Sequence, residues 1–333
     1  SFAIPPGTPM DGGYFGGQIN DGGIIYNLIV SPKASGENSG NAIAWKTGAS
    51  ADTTPSAAFW ENEVYGFPAS QAGNSATYPA FQYTRSLSIG GYNDWYLPAK
   101  NELEVLFYFL RPYPASGGTV NVTTSGSNPN AVAPEPVSTN YTATNPAQTT
   151  ASAFQTGGGA EEIFPDLIWT STQNSGSTTQ AFVQNFVSGA QVTNGKNNSP
   201  QSGRVRAIRR TYANAPVAIG DAFGGGYFAG QYVDPGDGNT YNLIVAPKAT
   251  GELTPQQYKI VSTANDGPAA AAQNTVHGEV AQTSALTNGT PADYPVFNAF
   301  SALSIGGFSD WYLPAQDELK ILVINLAPAW TTA

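Results

Sequence analysis

Apolar positions along this chain follow two periods. From Tyr14 to Ile19 and from Ile24 to Val30 the residues are rich in β-formers, and Asn20-Asp21-Gly22-Gly23 between them reads as the turn of a hairpin. After Pro98 the period changes. Leu103, Leu106, Phe107 and Leu110 fall at i, i+3, i+4 and i+7, one stripe of an amphipathic helix that Pro112 ends. A shorter helix is predicted over Pro79–Leu87, ended by Gly90-Gly91. Strands are predicted at Leu167–Ser171, Ala181–Val187, Gln191–Thr193 and Val205–Arg209, with Ser188-Gly189 as a tight turn. Residues 116–159 are rich in Ser, Thr, Asn, Pro, Gly and Ala, and read as a long surface excursion with little apolar surface to bury. The order of hairpin, two helices, excursion and antiparallel meander predicts an α+β domain, a twisted antiparallel sheet with two flanking helices.

The pattern then starts again. Gly13-Tyr14-Phe15, Tyr26-Asn27-Leu28-Ile29-Val30, Pro32-Lys33-Ala34 and Gly36-Glu37 return as Gly226-Tyr227-Phe228, Tyr241-Asn242-Leu243-Ile244-Val245, Pro247-Lys248-Ala249 and Gly251-Glu252. Ser88-Ile89-Gly90-Gly91, Asp94-Trp95-Tyr96-Leu97-Pro98-Ala99 and Glu102-Leu103 return as Ser304-Ile305-Gly306-Gly307, Asp310-Trp311-Tyr312-Leu313-Pro314-Ala315 and Glu318-Leu319. The helix stripe recurs at Leu319, Leu322, Val323 and Leu326. A repeat of this length sets the domain organisation: a linker at 1–12, a first domain at 13–212 carrying the excursion, a linker at 213–224, and the N-terminal half of a second domain at 225–333. A linker ahead of the first copy predicts a segment of a longer array. The half-built second copy is expected to be closed by residues beyond Ala333 or by strands of a neighbouring subunit.

Composition narrows the classes. The chain has 333 residues, is 41% hydrophobic and 12% aromatic, and so has material for packed cores rather than disorder. A net charge of −10 argues against nucleic acid, whose phosphates need a concentrated positive surface. There is no cysteine, which removes disulfides, thiolate catalysis and cysteine zinc sites. No apolar run reaches the length of a membrane span, and no charged leader precedes an apolar stretch at the N-terminus.

The ordered set Gly90-Gly91-Tyr92-Asn93-Asp94-Trp95-Tyr96-Leu97-Pro98, Glu102-Leu103, Ile168-Trp169-Thr170-Ser171-Thr172 and Gly203-Arg204-Val205-Arg206-Ala207-Ile208-Arg209 resembles the Lcl C-terminal (DUF1566) family. The resemblance spans nearly all of the first copy and the first half of the second. It implies C-type-lectin-like domains in tandem, of the kind found on bacterial surface adhesins and in virion proteins of tailed phages. Two departures stand out. Tyr96 and Tyr312 replace an Arg common in the family, which implies an altered surface contact. Ala99 and Ala315 replace a helix-capping Thr, which leaves the capping box with Glu102 or Glu318 incomplete.

The candidate chemistry is thin. Asp94-Trp95 and Asp310-Trp311, with Trp169, read as a structural signature: Trp fills the core and Asp accepts backbone N–H groups. Their alternative reading is a carboxylate of a Ca²⁺ or sugar site. Asp234, Asp237 and Asn239 are oxygen ligands at close spacing, a weak Ca²⁺ candidate beside the plainer reading of a hairpin turn. Arg204, Arg206, Arg209 and Arg210 form the strongest positive cluster, with Arg204 and Arg206 on one strand face, either gripping an anionic glycan or pairing with local carboxylates. His277 is the only histidine and lacks a match in the first copy, so a general base is not read there. Glu161-Glu162 and Glu102/Glu104 do not face each other as a glycosidase pair must, and Gly157-Gly158-Gly159 and Gly224-Gly225-Gly226 lack the context of phosphate loops.

The expectation is a non-enzymatic virion structural and adhesion protein, a phage fibre or surface appendage. It would display lectin-like domains toward host-surface glycans, with no cofactor beyond optional Ca²⁺ and with other copies or virion proteins as partners. The alternative is a bacterial extracellular adhesin or filament subunit on the cell surface. Loop residues expected to meet glycan are Tyr141, Asn145, Gln173, Asn174, Gln184, Asn185 and Lys196, with Arg204 and Arg206 from the positive cluster.

Overall fold

The computed structural model describes residues 4–38, 42–114, 128–132, 141, 142, 144–157, 159–197, 203–213, 217–234, 238, 240–260, 277–288 and 291–326. The chain is mixed α+β and divides into two compact units, one of residues 1–21 and 25–213 and one of residues 22–24 and 214–333.

In the first unit, strands β1 (Pro9–Met10), β2 (Gly13–Asp21), β3 (Ile24–Val30) and β7 (Ile208–Tyr212) form an antiparallel sheet in the order β1-β2-β3-β7. The β2–β3 hairpin is the expected one. Gly22 and Gly23 close it at φ +61° and +92°, values that L side chains rarely adopt. A second sheet holds β4 (Leu167–Gln173), β5 (Gln180–Asn185) and β6 (Gln191–Gly195) as a meander. The expected four-strand meander is therefore divided. Its last strand starts later than expected and leaves β6 to pair with β3, Val30 opposite Ile208 and Tyr26 opposite Tyr212. Five short helices accompany the sheets: α1 (Lys33–Gly36), α2 (Ala57–Trp60), α3 (Phe67–Ala72), α4 (Pro79–Arg85) and α5 (Lys100–Leu110). The helix over Pro79 stops at Arg85. Gly90 and Gly91 do not end it but turn the chain between the bridged residues Ile89 and Tyr92.

Helix α5 lies against β2, and its whole stripe of Leu103, Leu106, Phe107 and Leu110 is buried. Gly16 permits this approach, because a Cβ there would stand 2.2 Å from Leu106. The stripe is covered partly by Tyr141 and Phe154, both fully buried in the same core. The reading of 116–159 as a surface excursion is thus corrected for its described part. That segment contributes core aromatics, and Asn130 ties it to the hairpin by accepting from Asn20 N at 2.8 Å through its carbonyl. A second core packs Trp45, Trp60, Phe81, Leu97, Trp169 and Val183 together.

The described residues of the second unit repeat much of the first. Strands β8 (Ala222–Phe223), β9 (Gly226–Val233) and β10 (Thr240–Val245) form a sheet in the order β10-β9-β8, with helices α6 (Lys248–Gly251), α7 (Gly278–Asn288), α8 (Pro295–Ser301) and α9 (Gln316–Leu326). The two tryptophans have matching surroundings. A Cβ on Gly13 would stand 3.1 Å from the Trp95 ring, and one on Gly226 3.1 Å from that of Trp311. What differs is cover. Trp95 is fully buried and Trp311 only partly, while Leu319 and Val323 of the second stripe stay 49% and 50% exposed.

Candidate functional site

The closing segment of the first unit, residues 203–212, is stitched down by its arginines. Arg206 is fully buried. Its Nη1 meets Glu37 at 3.0 Å, its Nη2 meets Glu161 at 3.0 Å, and its Nε donates to Ser31 O at 2.7 Å. Burial pulls its pKa below the usual guanidinium value, and the two carboxylates oppose that shift. Arg209 makes a bidentate pair with Asp94 at 2.7 and 2.9 Å and stacks on Tyr92. Arg210 pairs with Glu102 at 2.6 Å and Asp21 at 2.9 Å, between the rings of Tyr26 and Tyr65.

Glu102 is where helix, sheet and closing strand meet. Its Oε2 accepts from Ala99 N at 2.7 Å and Gly66 N at 3.1 Å, and its Oε1 accepts from Tyr96 Oη at 2.6 Å as well as from Arg210. Burial and the adjacent carboxylate raise Tyr96 well above a normal phenol, so it remains a donor. The second unit preserves the constellation without the arginine: Glu318 accepts from Ala315 N at 2.8 Å, Gly278 N at 3.1 Å and Tyr312 Oη at 2.8 Å. One expectation is corrected: Tyr96 makes no surface contact but an internal one. The capping box keeps only its glutamate half, since Ala99 and Ala315 have no side-chain acceptor. The equivalence also supplies a match for His277. It precedes the glycine that bonds Glu318, as Tyr65 precedes the one that bonds Glu102.

A third polar cluster lies at one end of the three-stranded sheet. Lys46 Nζ and Lys196 Nζ reach Asp52 at 2.5 and 2.6 Å, and Tyr78 Oη donates to the same carboxylate at 2.5 Å. Lys196 also donates to Gln173, whose Oε1 accepts from Asp52 N at 3.0 Å, and its ammonium sits 4.5 Å from the Trp45 ring centre. Burial pushes the Asp52 pKa upward, but the bonds from Lys196, Lys46 and Tyr78 outweigh it and hold the carboxyl below its ordinary value. Burial lowers Lys196.

Of the residues expected to meet glycan, the structure brings Gln173 and Lys196 together, but inside this cluster. Tyr141, Gln173, Gln184, Lys196 and Arg206 are all essentially inaccessible, which removes them from an exposed loop surface. Gln184 donates to Gly189 O at 2.7 Å, and Tyr141 Oη donates to Glu104. Asn145, Asn174, Asn185 and Arg204 are partly exposed. Asn174 accepts from Gly176 N, and Asn185 accepts from Val187 N and Ser188 N, so both fix turns. Asn145 N donates to Thr142 Oγ1 at 3.0 Å, and Arg204 stacks on Phe164. Arg204 and Arg206 do not share an outward face: one is partly exposed, the other buried. Asp94 holds Arg209 in place of the expected backbone N–H groups, while Trp95 and Trp169 are core residues as expected. Asp234 lies 3.2 Å from His277, and Asp237 and Asn239 fall outside the described residues. Sequence reading missed Glu37, Asp52 and Glu161 as partners. Return of Glu37 as Glu252, beside the returning Asp94 and Glu102, was the available signal for the first.

The sequence profile of the Lcl C-terminal domain matches residues 38–209, slightly more than half of the chain. The chain belongs to the Lcl C-terminal domain family. Its match begins just after Glu37 and ends at Arg209, so it takes in Asp94, Glu102, Arg206 and the Asp52 cluster. No curated protein and no solved structure matches the chain.

Proposed function

We propose that this chain is a non-enzymatic structural and adhesive protein, a tandem of C-type-lectin-like modules on a phage particle that presents turns toward host-surface glycans. The observation that carries this reading is the reuse, within one chain, of a single tryptophan-centred scaffold whose strongest charges are spent on holding strands together. Rigid modules in series suit display and avidity. With five of the expected contact residues buried, the glycan surface is assigned to the polar turns around Asn174 and Asn185 and to Arg204. The test is a glycan array probed with the full chain and with Asn174→Ala, together with immunogold labelling of purified particles. Saturable binding that Asn174→Ala weakens while the chain stays folded by circular dichroism, and label on virions, are expected. Label on bacterial cell surfaces in the absence of phage would transfer the chain to the adhesin class. Silence across the array would remove the glycan role.

A further inference from the structure

Among its described residues the second unit keeps the counterparts of three carboxylates that hold the closing strand of the first, and no strand lies along the outer edge of β10. In the first unit the segment 203–212 runs along β3, and its Arg206, Arg209 and Arg210 take Glu37, Asp94 and Glu102. Their counterparts Glu252, Asp310 and Glu318 all border one groove of about 800 Å³, floored by Leu243, Trp311 and Leu322. The backbone positions agree as well. Ser31 N and both groups of Tyr96 bond the closing segment at Ala207 and Ile208. Their counterparts Ala246 and Tyr312 line the groove, and neither has a backbone hydrogen bond among the described residues. Among the described residues β9 is the single partner of β10, which leaves its other edge open. Among the described residues no basic side chain pairs with Asp310 or Glu318.

We propose that the second unit is a receptor for an extended β-strand carrying arginines at the spacing of Arg206, Arg209 and Arg210, bound by strand addition to β10 with its guanidiniums on Glu252, Asp310 and Glu318. The occupant is a partner segment of that chemistry and not part of residues 214–333, which contain no arginine. Charge agrees: residues 214–333 hold ten carboxylates against three lysines, a net of −7 from the chain's −10. Main-chain bonds along an open edge give affinity, and the paired charges fix register.

The probe is a synthetic peptide with the sequence of residues 203–212, added to the full chain. Residue-resolved hydrogen exchange and calorimetry report on it. Saturable one-to-one binding that protects Tyr241–Val245 is expected. Loss of roughly tenfold or more in affinity is expected for the peptide with methionine at its three matched arginines, and likewise for Asp310→Asn, whose side chain is exposed and whose circular dichroism checks the fold. Equal binding of a scrambled peptide of the same charge would overturn the proposal, since the acidic surface alone would then explain it. So would full protection of Tyr241–Val245 in the chain without peptide, because the edge would already be closed.

Discussion

Replacing Arg206 by methionine isolates the effect of the closing segment. The side chain is fully inaccessible and bonds Glu37, Glu161 and Ser31 O. Methionine fills much of the volume but leaves a fully buried and a nearly buried carboxylate without their cation. Breaking a buried pair by removing one partner costs about 3–5 kcal/mol, mostly from the stranded charge. In a unit of this size about 2–4 °C of midpoint accompanies each kcal/mol, so a fall of roughly 6–20 °C is expected for the first unit. Arg204→Met is the matched control. That side chain is partly exposed and stacks on Phe164, an interaction of about 0.5–2 kcal/mol. The assay is thermal and urea unfolding of the full chain, followed by hydrogen exchange so that the two units are read separately. Equal, small effects of the two substitutions would refute the argument that Arg206 anchors the strand. If Glu37→Gln together with Arg206→Met recovered none of the loss, the stranded charge would not be its origin.

Three further outcomes follow from the same contacts. Asp52→Asn should destabilise the first unit and remove an acid-sensitive component of stability. Because the folded-state pKa of Asp52 lies below 3.8, its contribution is complete above that value and is lost as pH falls through the folded pKa; unfolding curves between pH 6 and pH 2 check this. Tyr96→Phe should cost about 1.5–3 kcal/mol, the range for a hydrogen bond to a charged group, as measured by chemical unfolding of the first unit, and a cost near zero would remove the Tyr96–Glu102 bond from the account. Gly90→Ala should destabilise by more than about 1 kcal/mol. Its φ is +64° and the new Cβ would stand 2.4 Å from Gly12 Cα; a neutral substitution in a melting experiment would show that the turn relaxes easily.

Periodicity revealed the elements that carry a clear local signal. The β2–β3 hairpin and the buried stripe of α5 stood out because alternation of side-chain direction is fixed by the backbone and the core fills one face. Tyr141 and Phe154 were hidden because they lie in a segment whose composition is otherwise that of solvated loops, and two aromatics do not make a period. The distant partners of the buried cations were hidden for another reason. Glu37 and Glu161 are 169 and 45 residues away from Arg206, and Asp52 is 144 away from Lys196, and pairing over such distances is decided by topology. Alternation assigned Arg204 and Arg206 to one face correctly for a regular strand, but regular pairing begins only at Ile208. Lys196 and Gln173 look like surface residues by type. Asp52 and the Trp45 ring make their burial tolerable.

The account rests on one scaffold used twice, closed among the described residues of the first unit and open among those of the second. Residue-resolved amide exchange of the full chain, comparing Tyr26–Val30 with Tyr241–Val245, tests this most directly. Strong protection along all of the first strand is expected, with the outward amides of the second exchanging orders of magnitude faster. Equal protection of the two strands, or rapid exchange along both, would contradict it.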